Sequence, residues 1–494
     1  PGPRGLARRA LIARRGSRTL VGVHEIAGGF RPAPGPGFLR APRMSRIRHL
    51  VSVDDLSSGE ILALFQRART YAQDLRAWAD VCRGRILASL FYEASTRTRL
   101  SFESAMQRLG GGVLTAADMA ASSASKGESL ADTVRVVSGA YADLIVLRHP
   151  SEGAARLAAE FSKVPVVNAG DGSHEHPTQT LCDLYTLWIE KERLEGLDVV
   201  LSGDLRYSRT IHSFVYALAR FGANIVCVPH RGLELPEYVV RRLREEYGTE
   251  PVRADASQLG DLAAESDAVY LTPQKPHQLS LFTDSRGLRV DRVDAVYMTR
   301  PQTERHVGEN LSYGYVRLSQ SAMSAAPLKE ALVKHQLPRR DEIAADLDND
   351  PRSMYFTQAA RGVPVRMAIL AFLLGKLELP VSTNELEARL FPIEHGVNPC
   401  PNANCITHTE KRHQRLGFKL TSRDPLRAAC GFCSQEIPIG LVGCSTTRLF
   451  HARDSATARK IRPDHLVFFR DEEQAQALGF SAATRGTERV PPGD

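Results

Sequence analysis

The stretch Ile86-Leu-Ala-Ser-Leu-Phe-Tyr-Glu-Ala-Ser-Thr-Arg-Thr-Arg-Leu-Ser-Phe-Glu103 decides the fold class. Ile86–Tyr92 is an apolar run of strand length, and Leu100–Leu109 continues with apolar residues at helical spacing. Between them lies a polar turn, Ser95-Thr96-Arg97-Thr98-Arg99, that opens the helix. Such a turn offers free backbone N–H groups and the positive end of the helix to an anion. Its hydroxyls add short hydrogen bonds, and arginine adds a planar fork that matches phosphate. A plain N-cap explains the arginines poorly, because cations oppose the helix dipole at that end. The turn therefore predicts a phosphate site.

The same alternation continues on both sides. Leu144–Leu147, Pro165–Asn168, Val199–Gly203, Asn224–Val228, Ala268–Leu271 and Ala295–Met298 read as short apolar strands. Pro177–Glu190 and Arg209–Phe221 read as helices between them. This pattern predicts an α/β protein with two doubly wound parallel-sheet domains, ligands lying at the carboxyl ends of the strands. We expect the first domain over 45–190 and the second over 191–354, with a late helix within 355–380 packing back on the first sheet. Asp267-Ala-Val-Tyr-Leu-Thr is echoed by Asp294-Ala-Val-Tyr-Met-Thr, a single near-repeat rather than a solenoid period.

The chain has 494 residues, enough for about three domains, and an apolar content of 43%. Its longest plain apolar run, Met367–Leu374, is too short to cross a bilayer, and no secretory-type leader opens the chain. A cytoplasmic protein without membrane association is expected. The net charge of +8 is matched by residues 1–44, which carry nine arginines against one acid, Glu25. We expect that stretch to be a disordered extension and the body to bind no nucleic acid.

Seven motifs appear in the order found in a known family. Phe91-Tyr-Glu-Ala-Ser-Thr-Arg-Thr-Arg-Leu-Ser-Phe-Glu103 resembles the carbamoyl-phosphate motif of the aspartate and ornithine carbamoyltransferases. Ser125-Lys-Gly-Glu128, Arg148-His-Pro150, His176-Pro-Thr-Gln179, Gly203-Asp-Leu-Arg-Tyr-Ser-Arg209, Thr299-Arg-Pro-Gln302 and Leu337-Pro-Arg-Arg-Asp-Glu342 are similar to further family motifs. The resemblance covers about 45–380. It implies that Ser95, Thr96, Arg97 and Thr98 hold the phosphate of carbamoyl phosphate. It also implies that Thr98, Arg148 and His176 serve catalysis as donors to the carbonyl oxygen, and that Gln179 holds the carbamoyl NH2. Leu337 and Pro338 resemble a substrate loop that often has a cis bond before the proline. Arg209 and Arg300 would clamp the two carboxylates of aspartate, with Gln302 and Lys126 assisting. Ser122 and Lys126 are similar to a loop contributed by a neighbouring subunit, which implies a homotrimer or higher homo-oligomer. No cofactor is implied for catalysis.

The second substrate separates the sister families. His335-Gln-Leu-Pro338 lacks the cysteine of the ornithine enzymes, and Arg300 would repel a cationic side chain while attracting a carboxylate. The expected substrates are carbamoyl phosphate and L-aspartate, in an early step of de novo pyrimidine synthesis. Rival readings are a transferase for ornithine or another amino acid, a non-catalytic scaffold, and a nucleic-acid-binding protein.

Cys400-x4-Cys405 and Cys430-x2-Cys433 have the pairwise spacing of a closed four-thiolate zinc site, so one structural Zn2+ is expected in a small β-rich domain over 390–443. Cys400-Pro-Asn-Ala-Asn-Cys-Ile-Thr-His408 resembles the zinc domain of aspartate carbamoyltransferase regulatory chains. The nucleotide-binding domain that precedes zinc there has no room here, so no feedback site of that kind is expected. Residues 445–480 resemble a small metal-binding domain of alkylated-DNA repair proteins, but Ser455 stands where a ligand is expected. They are read as a short metal-free module, followed by a disordered tail over 481–494.

Overall fold

The computed structural model describes residues 47–117, 119, 127–272, 295–299, 317–324, 328–379, 400–410, 418–423, 425–462 and 465–483. The arginine-rich extension expected over 1–44 lies outside the described residues.

Two parallel sheets lie between Ile86 and His335. The first contains β1 (Ile86–Phe91), β2 (Gly112–Ala116), β3 (Leu144–His149) and β4 (Val166–Asp171), in the order β2-β1-β3-β4. The second contains β5 (Asp198–Gly203), β6 (Asn224–Pro229), β7 (Val252–Arg253), β8 (Ala268–Leu271), β9 (Ala295–Met298) and β10 (Leu332–His335), in the order β10-β9-β8-β5-β6-β7. The central strands are continuous apolar runs because helices cover both faces: Leu144, Ile145, Val146 and Leu147 are all essentially buried. The near-repeat of the sequence forms adjacent parallel strands, β8 and β9, with Tyr270 opposite Tyr297. Their rings stack with centroids 4.3 Å apart.

Among the described residues, the helices of seven residues or more are α1 (Ser58–Gln73), α2 (Thr96–Arg108), α3 (Leu130–Val136), α4 (Ala154–Phe161), α5 (Pro177–Lys191), α6 (Arg209–Arg220), α7 (Glu237–Tyr247) and α8 (Tyr355–Leu373). Ser57 starts α1 with a reciprocal capping box to Glu60. Helix α8 packs on α1, α2 and α5, returning the chain to the first domain. It stops at Leu373, short of the expected 380. Gly375 takes a left-handed φ of 66°, Gly375 N–H donates to Phe372 O (2.9 Å), and Lys376 N–H donates to Ala371 O (2.7 Å). This paired closure satisfies the last carbonyls and ends the helix.

The C-terminal third forms two further sheets: β11 (Phe418–Arg423), β12 (Leu426–Cys430) and β13 (Glu436–Ile437), then β14 (Leu441–Cys444), β15 (Leu449–Ala452), β16 (Leu466–Phe469) and β17 (Ser481–Ala482). Two boundaries differ from the sequence reading. Leu441–Cys444 pairs with β15 and β16, so the last module begins before 445. Ser481 and Ala482 pair in parallel with Leu449 and Phe450, so these residues belong to the sheet rather than to a disordered tail. Neither edge was legible locally, because both depend on partners distant in sequence. Among the described residues no helix is long and apolar enough to cross a membrane.

Candidate active site and metal centre

A cavity of about 380 Å³ opens where the two sheets point their carboxyl ends at each other. The turn after β1 supplies Ser95, Thr96, Arg97 and Thr98; β3 supplies Arg148; the turn after β4 supplies His176 and, through α5, Gln179. From the second domain come Thr210 after β5, Thr299 after β9, and Leu337 and Pro338 after β10.

Helix α2 starts at Thr96, earlier than its apolar spacing suggested, so the turn forms the first turn of the helix. Ser95 is its N-cap, yet the Ser95 hydroxyl accepts no bond from the helix, and no acidic residue occupies the first turn. Helix α5 likewise begins after His176, with Pro177 at its first position and no side-chain cap. Two positive helix ends thus face one cavity, an arrangement that favours an anion.

Arg148 is buried and gives one guanidinium nitrogen to Ala169 O (3.1 Å) and the other to Glu93 Oε1 (2.5 Å). Its Nε has no hydrogen-bond partner among the described residues. Leu337 takes a φ of 53°, and the Leu337–Pro338 peptide bond is cis. Leu337 N–H donates to His335 Nδ1 (2.7 Å), and His335 Nε2 contacts Glu342 Oε1 (2.8 Å). Burial lowers the His335 pKa, which suits a neutral ring that accepts at one nitrogen and donates at the other.

The turn that delivers His176 is held by a buried ionic cluster. Asp171 accepts from Gly153 N–H (2.8 Å), Asn168 Nδ2 (2.9 Å) and Glu175 N–H (3.1 Å), and pairs with His174 Nδ1 (3.1 Å). Glu175 accepts from Ser52 Oγ (2.9 Å) and Ser213 Oγ (3.4 Å), tying the turn to both domains. Burial alone would lower the His174 pKa, but Asp171, Glu175 and Glu152 push it up to about 9. The folded value exceeds the unfolded value of about 6.5, so the stabilisation is complete below that pH and is lost as pH rises through about 9. Urea unfolding should show stability falling by on the order of 1–3 kcal/mol between pH 6.5 and 9.5. His174→Asn should flatten that slope; an unchanged slope would refute the assignment.

The four cysteines Cys400, Cys405, Cys430 and Cys433 are all buried, with their sulfurs within 4.8 Å of one another. Cys400 and Cys433 Sγ lie 3.4 Å apart, and Cys405 and Cys430 Sγ 3.8 Å. A tetrahedral ion with metal–sulfur bonds near 2.3 Å needs edges of about 3.8 Å, so the set fits a four-thiolate metal. His408 Nε2 contacts Cys400 O (2.9 Å) behind the ligands. The unit docks on the first domain: Glu152 accepts from Asn402 Nδ2 (2.7 Å), and Glu410 accepts from Leu130 N–H (2.6 Å). At Gly153, φ 83°, a Cβ would fall 2.6 Å from Phe432, so only glycine permits this approach. Arg241 on α7 pairs with Glu436 (2.5 Å), reaching the second domain.

Family comparisons follow this division. The description "Aspartate/ornithine carbamoyltransferase, carbamoyl-P binding domain" matches residues 48–189, and the "Asp/Orn binding domain" of the same family matches 273–373. "Aspartate carbamoyltransferase regulatory chain, metal binding domain" matches 394–439. The aspartate carbamoyltransferase catalytic subunit of Methanococcus maripaludis is 45% identical over 333 residues, covering 66% of this chain and 98% of that protein. The chain belongs to the aspartate carbamoyltransferases. Among solved structures, the catalytic subunit of M. jannaschii aspartate transcarbamoylase is 42% identical, with a TM-score of 0.51 over 66% of this chain and 98% of that one. Aspartate transcarbamoylase of Trypanosoma cruzi, solved with N-(phosphonacetyl)-L-aspartic acid, is 32% identical, with a TM-score of 0.54 over 66% of this chain and 95% of that one. One polypeptide here matches both the carbamoyl-phosphate-binding domain and the regulatory-chain metal-binding domain.

Within that frame, Ser95, Thr96, Arg97, Thr98, Arg148, His176, Gln179, Leu337 and Pro338 all line one cavity. Arg209 opens α6, beside the cavity residue Thr210. Ser122, Lys126, Arg300 and Gln302 lie outside the described residues. Sequence reading missed Glu93, which pairs with Arg148, and the α8 residues Gln358 and Arg366. A signal existed for the last two: with Gly362 they recur every four residues, hence on one face of the helix.

Proposed function

We propose that this chain transfers the carbamoyl group of carbamoyl phosphate to the amine of L-aspartate, giving N-carbamoyl-L-aspartate and phosphate, an early step of de novo pyrimidine synthesis. The observation that carries this reading is the convergence of the Ser95–Thr98 turn, Arg148, His176 and Gln179 on one cavity at two helix N-termini. The phosphate rests on Ser95, Thr96, Arg97 and Thr98. Thr98, Arg148 and His176 donate to the carbonyl oxygen, and Gln179 accepts from the carbamoyl NH2. The neutral amine forms the new C–N bond, the carbonyl oxygen gains charge that these donors stabilise, and the C–O bond to phosphate then breaks. The amine proton leaves on the departing phosphate. Arg209 and Arg300 clamp the two carboxylates of aspartate, with Gln302 beside them. Ser122 and Lys126 reach the site of a neighbouring copy, so the active unit is a homotrimer or a larger assembly of trimers. One Zn2+ held by Cys400, Cys405, Cys430 and Cys433 is structural, and the enzyme works in the cytoplasm.

The test is phosphate release from carbamoyl phosphate with L-aspartate or L-ornithine, for the parent protein and Arg300→Ala. Turnover is expected with aspartate alone and should fall at least a hundredfold in the variant (about 3 kcal/mol for a lost charge-assisted contact). Turnover with ornithine would overturn the substrate assignment.

A further inference from the structure

Behind the cavity wall one carboxylate oxygen collects three donors. Asp183 lies on α5, one turn beyond Gln179, and is 3% exposed. Its Oδ1 accepts from Gln179 Nε2 (2.9 Å), Tyr297 OH (2.7 Å) and Gln358 Nε2 (2.9 Å). Gln358 Nε2 also donates to Tyr297 OH (2.7 Å), and Gln358 Oε1 accepts from His335 N–H (3.2 Å). Both hydrogens of that amide are therefore used, and its orientation is fixed by its partners.

The same reasoning fixes Gln179. An ionised carboxylate only accepts, so the group that Gln179 turns toward Asp183 must be its NH2. The opposite end of a planar amide is its oxygen, and Gln179 lines the cavity. Burial pushes the Asp183 carboxyl up only to about 6, opposed by the three donors and by the ammonium of buried Lys334. Three donors converging on one oxygen favour its ionised, accepting form. A glutamine held otherwise could offer either end, because amide oxygen and nitrogen are nearly isosteric.

We infer that Asp183 is a positioning residue for substrate selection: by holding the Gln179 NH2 it presents Gln179 Oε1 to the cavity, which selects an acyl phosphate bearing NH2 over one bearing CH3. This rests on the cavity being the carbamoyl-phosphate site. Phosphate itself touches a different part of the wall, the Ser95–Thr98 turn, so the two readings separate experimentally.

The experiment compares carbamoyl phosphate with acetyl phosphate, which carries a methyl group in place of the amine, as substrates of the full-length metal-loaded protein. Affinity for inorganic phosphate is measured in parallel. Asp183→Ala should leave phosphate affinity within about twofold and lower kcat/KM for carbamoyl phosphate roughly ten- to a hundredfold, with little change for acetyl phosphate. The preference between the two substrates should shrink accordingly. Asp183→Asn, which keeps an accepting oxygen, should restore most of it. Asp183→Leu conserves volume without an acceptor and serves if the alanine variant does not fold. An undiminished preference in a phosphate-binding variant, or an equal loss for both substrates, would overturn the inference. A parent protein that binds no phosphate would instead overturn the reading of the cavity.

Discussion

Arg148→Ala should lower kcat by about a thousandfold, with a much smaller change in the apparent affinity for inorganic phosphate. Arg148 does not belong to the phosphate turn. It rises from the end of β3, is anchored by Ala169 O and Glu93, and retains a buried Nε without a partner among the described residues. A donor fixed before reaction stabilises oxyanion charge without reorganising, which is worth about 3–4 kcal/mol per donor in a site shielded from water. Alanine also removes the guanidinium that pairs with Glu93. Arg148→Lys should recover only part of the rate, because an ammonium cannot reproduce the guanidinium fork. Steady-state kinetics with saturating aspartate measure the effect. A loss below tenfold would mean that the carbonyl oxygen is stabilised elsewhere.

Removing the metal should be the largest single change in stability. Without a cation the four buried sulfurs lose the bonds that hold their segments together, and structural zinc sites contribute roughly 10 kcal/mol to the folding of small units. Here the consequence should spread, because the unit shares a continuous core with the first domain. Ile406, Leu426, Phe432 and Ile437 pack in one cluster with Leu90, Ile145, Leu157 and Ala158, and Phe468 of the last sheet joins them. A strong chelator, or Cys430→Ala, should release one equivalent of metal and unfold 400–483 cooperatively. Hydrogen exchange should then rise over Ala154–Phe161, the helix against which the unit packs. Release of metal with unchanged exchange there would show that the docking contributes nothing to the catalytic domain. A protein whose melting ignores the chelator would contradict the structural role itself.

Some features were readable from single stretches because local physics enforces them. An apolar strand, a hydroxyl- and arginine-bearing turn, and an apolar helical run can form few structures other than a strand–turn–helix. Cysteines at paired spacing likewise point to a metal from the chain alone. The near-repeat at 267 and 294 needed the fold for its meaning, since only sheet order makes Tyr270 and Tyr297 neighbours. The helix end at Leu373 depended on a local device, the left-handed Gly375, that apolar periodicity does not report.

The sequence by itself determined the alternating α/β plan, the helix-opening turn at Ser95–Arg99 and the four-cysteine set. Tertiary structure alone decided which polar groups behind those motifs share an oxygen or a charge. Asp183 meets Gln179 within one helix, but Tyr297 and Gln358 reach it from strands and helices more than a hundred residues away. The metal unit settles on Glu152 and Arg241, which nothing in either segment announces. The reason is that propensity, periodicity and motif spacing act over a few residues, whereas burial forces each polar group to find a partner wherever the packed core brings one.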